Sequence, residues 1–544
     1  MERRARKQVK GMVTEAYILA HDIGTTGNKS CLYRLGDHIE LVDSALVEYP
    51  LYTLPNGGVE QKVEEWWAAV CQATEAVVRR SRIAPSEIKG MAFCAQMQGF
   101  VAVDKEGNAL RNPMSYMDNR GTAQIERGLY HGFPRIGGWN AYKTLRSLQV
   151  TGGLSASVKD PVWKYLWMRD NELELFSRLY KWLDVKDYLV LRCTGEFSMG
   201  YDSAHATFMF DTRPGQLGWH EGICRLFDVD TEHLPLVVNS TDVVGHLTAQ
   251  AATEMGLVEG IPVIGGGGDL SLISVGAGCF DLHDTHIYTG TSGWVVSTVD
   301  KRMTDIGGLI ASILGAIPGW YNYIAEQETA GRCLQWVRDH LALDEIGVYL
   351  ESVPYSDKVE QHASLYEFLN REVEQVPPGS NGVIFTPWLH GNRSPFEDPN
   401  ARGMFFNIGL ETGKRDLVRA VLEGVAYHQR WMLERVERQV PHQDTLRFVG
   451  GGAQSKAWAQ ILADVTGRKI EVMENAQNAG TVGAAIVCGV GLGILDSFSE
   501  AKPLVRVAHS YVPRPQYTGV YERSFEVYKG LYKSNRKLFR QLNE

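Results

Sequence analysis

A carboxylate that takes a proton from a substrate hydroxyl has to reach solvent yet be held rigidly, and the run Gly265-Gly266-Gly267-Gly268-Asp269 offers both conditions. The apolar Ile261-Pro262-Val263-Ile264 ahead of it reads as a short buried strand. The glycines permit a strained turn that points Asp269 into a cleft. A carboxylate there suits a general base acting on a hydroxyl that attacks phosphorus. Asp269 also stands before Leu270-Ser271-Leu272-Ile273 as a helix N-cap, and the two roles are compatible.

Phosphate-handling chemistry is written into two further runs. Tyr17-Ile18-Leu19-Ala20-His21-Asp22 reads as a buried strand, Gly24-Thr25-Thr26-Gly27 as a tight turn, and Lys29-Ser30-Cys31-Leu32-Tyr33 as the returning strand. His286-Ile287-Tyr288-Thr289, Gly290-Thr291-Ser292-Gly293 and Trp294-Val295-Val296-Ser297 repeat that order. Glycine lets backbone N–H groups approach a phosphate, and threonine adds a hydroxyl donor. Asp22 precedes the first turn, where a carboxylate suits a magnesium ion held through its water shell, and Lys29 adds a point charge. The stretch from Gly24 to Ser30 is not a P-loop: only two residues separate Gly24 from Gly27, Asn28 intervenes before Lys29, and a strand follows instead of a helix. A third cluster, Gly450-Gly451-Gly452-Ala453, joins the strand-like Leu446-Arg447-Phe448-Val449 to a helical pattern through Trp458 and Leu462, and lacks the spacing of a dinucleotide fingerprint.

The elements that must position these groups alternate strands with amphipathic helices, which favours an α/β class. Val63, Trp66, Trp67, Val70, Thr74 and Val77 share a helical face, so the tandem tryptophans are expected in the core and not stacked on a ligand. Asp416 opens a helical pattern through Glu423 and Trp431, and Gly489 to Gly493 marks a helix end. The repeated hairpin implies two related domains with a boundary near residues 270–285. The expected division is a basic tail over residues 1–14, a first domain over 15–280 and a second over 281–544.

Composition narrows the classes. In 544 residues with 44% hydrophobic and 22% charged, no stretch approaches the roughly 20 apolar residues of a membrane span. A net charge of -9 argues against a nucleic-acid partner. The 8 cysteines are scattered, with no C-x-x-C pair, so reduced thiols in a cytoplasm are expected. His283 and His286 lack a third ligand at recognisable spacing and do not suggest a metal site. Assembly into a homo-oligomer is left open.

In chain order, Asp22-Ile23-Gly24-Thr25-Thr26-Gly27, Gly267-Gly268-Asp269, Gly290-Thr291-Ser292-Gly293 and Gly451-Gly452-Ala453 resemble the FGGY family of carbohydrate kinases over nearly the whole chain. Pro161, Lys164, Tyr165, Trp167, Met168, Asp170 and Asn171 are similar to the family's first signature. Gly403 to Phe406 through Asp416, Ala420 and Glu423 is similar to its second, with Asn407 in place of a glycine. The resemblance implies two actin-like, ribonuclease-H-like domains with an interdomain cleft for ATP and sugar, Asp269 as base and Asp22 near Mg²⁺. It further implies Thr25, Thr26, Lys29, Gly290 and Thr291 at the phosphates, Gly331 and Gln335 on a helix against the nucleotide, and Gly452, Ala453 and Lys456 beside the adenosine.

Gln96-Met97-Gln98-Gly99 is similar to the Gln-Met-His-Gly stretch of xylulokinases, which implies a ketopentose acceptor met by Met97 and Gln98. Gln98 replaces the histidine, and Leu270 follows Asp269 where those enzymes have Asn. Asp118-Asn119-Arg120 and Gly391-Asn392-Arg393-Ser394-Pro395 resemble further family loops, implying sugar-side roles for Asp118 and Arg393. Kinases for other pentuloses, tetritols, glycerol or gluconate are the nearest alternatives. An actin- or chaperone-like nucleotide switch is the alternative of another class, and it has no evident need for Gln96 to Gly99 or Asp118 to Arg120.

Overall fold

The computed structural model describes residues 15–341 and 370–543, and the basic tail expected over residues 1–14 lies outside them. The chain divides into two compact units. The first holds the described residues through Phe280, together with Ile313–Tyr321 and Gly480–Val505, so the chain enters it twice more after Phe280. The second holds Asp281–Ser312 and the described parts of Asn322–Ala479 and Arg506–Glu544.

The first unit is built on β1 (Ala16–Ile23), β2 (Gly27–Leu35), β3 (Ile39–Glu48), β4 (Ile88–Ala95), β5 (Val243–His246) and β6 (Pro262–Gly268). They form one sheet in the order β5-β6-β4-β1-β2-β3. β1, β4 and β6 run parallel, while β2, β3 and β5 pair antiparallel to their neighbours. Near-continuous apolar runs such as Ile18-Leu19-Ala20 suit parallel strands covered on both faces. One cover is α1 (Val63–Ser81), which buries Val63, Trp66, Trp67, Val70, Thr74 and Val77 as its spacing predicts. The tandem tryptophans therefore belong to the core, where burying each large side chain contributes roughly 2–3 kcal/mol. The other cover includes the apolar helix Ala479–Gly491, whose Val482, Ala484, Ala485, Ile486 and Val487 pack with Ile18, Ala20, Cys31 and Tyr33.

The second unit repeats the plan with β7 (Thr285–Thr289), β8 (Gly293–Val299), β9 (Thr304–Asp305), β10 (Ile310–Leu314), β11 (Tyr321–Gln327), β12 (Thr445–Val449), β13 (Lys469–Met473) and β14 (Val507–Tyr511). The order is β9-β10-β11-β8-β7-β12-β13-β14. Parallel β7, β12 and β13, with antiparallel β8 beside β7 and β14 beside β13, reproduce the arrangement of β1, β4, β6, β2 and β5. Against this sheet lie α6 (Gly331–His340), α7 (Lys414–Val436) and α8 (Lys456–Thr466). α7 begins two residues before Asp416, whose carboxylate accepts from the Gly413 N–H at 2.8 Å and so caps the helix.

A fully buried histidine in this unit makes folding sensitive to acid. His428 Nδ1 accepts from the Tyr528 hydroxyl at 2.9 Å and its Nε2 donates to the Ser394 carbonyl at 2.8 Å. Burial lowers its pKa from 6.5 to about 4, so the unfolded chain takes up a proton that the folded chain refuses. The stability carried by neutral His428 is therefore present above pH 6.5 and is lost as pH falls toward 4. The loss is on the order of 3 kcal/mol. Urea unfolding across that range is expected to show a shallower pH slope in His428→Gln, and an unchanged slope would contradict this assignment.

Candidate functional site

In the first unit the chemistry-bearing residues gather where the parallel strands end, the edge at which open α/β sheets bind ligands. Asp22 near the end of β1 stands beside Cys94 of β4, and Gly267 of β6 stands on the other side of Cys94. The Cys94 thiol hydrogen-bonds Asp22, and its pKa is pushed well up by burial and by the carboxylates of Asp22, Asp269 and Asp202. These carboxylates therefore converge around one side chain. Burial pushes the Asp22 carboxyl above the usual range, against the pull of the Lys29 ammonium and the Cys94 thiol. Lys29 is the direct cross-strand partner of Asp22.

Asp269 begins α5 (Asp269–Gly276) as its first helical residue, and the N-cap is Gly268, one position earlier than the sequence suggests. Its Oδ1 accepts from the Leu270 N–H at 2.8 Å. The glycines ahead of it form the end of a strand with a register shift in its pairing to β4, not a free turn. Gly266 has φ +63°, and a Cβ there would overlap the Phe93 carbonyl. Gly268 lies against the Met97 side chain and donates its N–H to Asp202 Oδ2 at 2.7 Å. Asp269 is thus set one residue from a backbone group fixed by Asp202, with Met97 alongside.

The first turn closes through the Gly24 N–H to the Gly27 carbonyl at 2.9 Å. Thr25 is half-buried and Thr26 exposed. Gln61 donates to the Thr25 carbonyl at 2.8 Å and accepts from Gln96 at 2.7 Å, linking this turn to the end of β4. Met97 and Gln98 are half-buried, and Gln98 has a left-handed φ of 62°. Asp118 is completely buried: its carboxylate accepts from the Val59 N–H at 2.8 Å and pairs with Arg120 at 2.6 Å, while the Arg120 guanidinium lies 4.5 Å from the Trp167 ring centre.

In the second unit, the turn after β7 closes through the Gly290 N–H to the Ser292 carbonyl at 3.0 Å. The Gly290 and Thr291 carbonyls accept from the N–H groups of Gly331 at 2.6 Å and Arg332 at 3.2 Å, which seats the start of α6 on the turn. Gln335 lies one turn further along α6 and is exposed. Gly452 packs on the Thr289 side chain, bringing Gly452-Ala453 to the same strand ends, and exposed Lys456 opens α8. Arg393 is also in this unit, paired with Glu326 and, at 3.9 Å, with Glu328.

Residues 17–276 match the N-terminal domain of the FGGY family of carbohydrate kinases, and residues 286–492 match its C-terminal domain. The chain belongs to the FGGY family of carbohydrate kinases. This kinase is 27% identical over 523 residues to the xylulose kinase of Bacillus subtilis (strain 168), covering 96% of this chain and 98% of that protein. It is 26% identical over 500 residues to the gluconokinase of the same organism, covering 92% of each. Among solved structures, a xylulose kinase from Lactobacillus acidophilus superposes with a TM-score of 0.82 at 22% identity, covering 97% of this chain and 100% of that one, which establishes the two-domain, actin-like fold. Membership makes the chain an enzyme and implies ATP and a small sugar as its substrates. The competing expectation of a nucleotide switch without a small substrate falls with it.

Among the described residues, no helix of the kinase is long and apolar enough to cross a membrane. No group of 3 or more His, Cys, Asp or Glu side chains gathers as a metal site among them either. A single carboxylate still suits magnesium, which keeps much of its water and takes its other oxygens from phosphates. Asp22 suits such an ion: it is a half-buried carboxylate near the end of β1, and Gly480 leaves room beside it, since a Cβ there would stand 2.9 Å from Asp22 Oδ2. Sequence reading missed Asp202, Lys186 and Asp184 around the strand ends. The signal for Asp184 and Lys186 was the run Asp184-Val185-Lys186-Asp187, charged residues inside an otherwise apolar stretch, and Asp202 carries no such local mark.

Proposed function

We propose that the kinase transfers the terminal phosphoryl group of MgATP to a hydroxyl of a ketopentose such as xylulose, with Asp269 as general base. The observation that carries this reading is the convergence of Asp22, Asp269 and Met97 at the ends of parallel β1, β6 and β4. Asp269 accepts the hydroxyl proton while that oxygen attacks the terminal phosphorus, and ADP leaves with the bridging oxygen. Lys29, Thr25 and Thr26 bind phosphate oxygens from the first turn, and Gly290 and Thr291 from the second. Gly331, Gln335, Gly452, Ala453 and Lys456 flank the nucleotide. A magnesium ion held through water by Asp22 would neutralise phosphate charge. Met97 and Gln98 meet the sugar, with Asp118 fixing the neighbouring loop through Arg120.

A neutral acceptor is favoured over gluconate because a free cation is the strongest partner for a bound carboxylate, and the buried cations near the sugar-side turn already serve protein acceptors. Lys164 donates to the Gln98 carbonyl at 2.6 Å, Lys186 pairs with Asp187, and Arg120 pairs with Asp118. The test is ADP formation by the purified full chain with MgATP across xylulose, ribulose, tetritols, glycerol and gluconate, ranked by kcat/KM. A ketopentose is expected to lead. Gluconate in first place would overturn the acceptor, and ADP formation indifferent to every compound would overturn the transfer reaction.

A further inference from the structure

The Met97-Gln98-Gly99 turn has a shape its own residues do not favour. Gln98 adopts φ 62°, a left-handed conformation in which its Cβ crowds the backbone. Both peptide groups of Gln98 are tied down by charged side chains from elsewhere in the first unit. Lys164, on α2 (Pro161–Asn171), donates its Nζ to the Gln98 carbonyl at 2.6 Å. Asp184, the N-cap of α3 (Val185–Thr194), accepts from the Gln98 N–H at 3.0 Å through Oδ2 and from the Gly99 N–H at 2.8 Å through Oδ1. Gly99 is needed for that approach, because a Cβ there would stand 2.9 Å from Asp184 Oδ1.

Lys164 is 0% and Asp184 4% exposed. Removing a lysine and an aspartate from water is costly, and a helix cap alone would be served by an exposed serine or aspartate. What the pair adds is a clamp on a turn that cannot hold its own shape. We infer that Lys164 and Asp184 are positioning residues that lock the Met97-Gln98-Gly99 turn and thereby set affinity for the sugar, not the rate of phosphoryl transfer. This rests on the reading of Met97 and Gln98 as sugar contacts.

The electrostatics add a second signature. Burial, reinforced by Asp187, raises the Asp184 pKa to about 7, while the Gly99 and Val185 N–H groups and Lys164 oppose the shift. Lys186 also faces Asp184. Burial lowers the Lys164 pKa to about 8, against Asp118, Asp160 and Asp184 and in the same direction as Lys159. Below about pH 7 the carboxylate gains a proton, and above about pH 8 the ammonium loses one. The doubly charged clamp is most populated between those values, so sugar KM has its minimum there and rises on both sides.

The test uses the full chain with the acceptor that ranks first in the panel, and reads backbone hydrogen exchange of the Gln98-Gly99 segment without sugar alongside kinetics from about pH 6 to 9. Asp184→Asn keeps one acceptor oxygen and sets an amide N–H against the other of the Gln98 and Gly99 N–H groups, and Lys164→Met removes the donor while keeping the stem. Each is expected to speed exchange at Gln98 and Gly99 and to raise sugar KM about tenfold, with kcat and ATP KM within about threefold. In wild type, sugar KM is expected to be lowest near pH 7 to 8. Unchanged exchange in variants whose melting is preserved overturns the clamp regardless of substrate. Faster exchange with unmoved sugar KM overturns its link to the sugar. A flat wild-type KM profile overturns the electrostatic signature, and fast exchange at Gln98 and Gly99 in wild type overturns the clamp without any variant, which covers the case in which the substitutions impair folding.

Discussion

Asp269→Asn is expected to lower kcat by about 10²–10⁴-fold while ATP affinity changes little. The substitution separates chemistry from architecture. An asparagine side-chain oxygen still accepts from the Leu270 N–H, the bond that Asp269 makes at 2.8 Å. The Gly268 N–H keeps its partner in Asp202, so the end of β6 and its contact with Met97 are untouched. The carboxylate's charge and its capacity to receive a proton are removed, and an amide has no useful basicity at neutral pH. Steady-state turnover of the leading sugar, with nucleotide binding measured by calorimetry, reads the two effects apart. Near-normal turnover would refute the base. A parallel collapse of nucleotide affinity would show that Asp269 supports the fold of the site instead.

The strand-turn-strand repeat was legible because a turn of glycine and threonine between apolar runs is a local feature, and the two sheets share an order of strands as that repeat predicts. The core role of Trp66 and Trp67 was legible for the same reason: helical spacing decides the buried face. What the sequence concealed is non-local. Asp202 holds the Gly268 N–H from 66 residues away, and Asp184 holds Gly99 from 85 residues away. No periodicity marks such a pairing. The returns of Ile313–Tyr321 and Gly480–Val505 to the first unit are invisible for a related reason, since an apolar helix does not state which sheet it covers. Departures from family pattern proved more informative than matches. Asn407, where the family has glycine, adopts φ 67°, and asparagine is among the few residues that tolerate that conformation. At Gln98 the same backbone region is occupied by a residue with no such tolerance, which directs attention to the charges that hold it.

Gly331→Ala is expected to weaken nucleotide binding by about 10–100-fold while leaving the first unit's response to sugar intact. The start of α6 is bonded to the second turn through backbone groups, with the Gly331 N–H on the Gly290 carbonyl at 2.6 Å. A Cβ on residue 331 would overlap that carbonyl and stand 3.0 Å from the Gly290 carbonyl carbon, so the neighbour that has to give is backbone and not a flexible side chain. The helix must then lift from the turn, which breaks the Gly331 bond and shifts Gly290 and Thr291 together. Losing one well-made hydrogen bond and misplacing phosphate donors corresponds to about 1.5–3 kcal/mol, hence the tenfold to hundredfold range. Because Gly331 and Gly290 both belong to the second unit, hydrogen exchange around Gln98 should be unchanged in this variant. Nucleotide affinity equal to wild type would mean that the turn and α6 do not cradle phosphate, and the equivalence drawn between the two hairpins would then fail on the side where the backbone contact is closest.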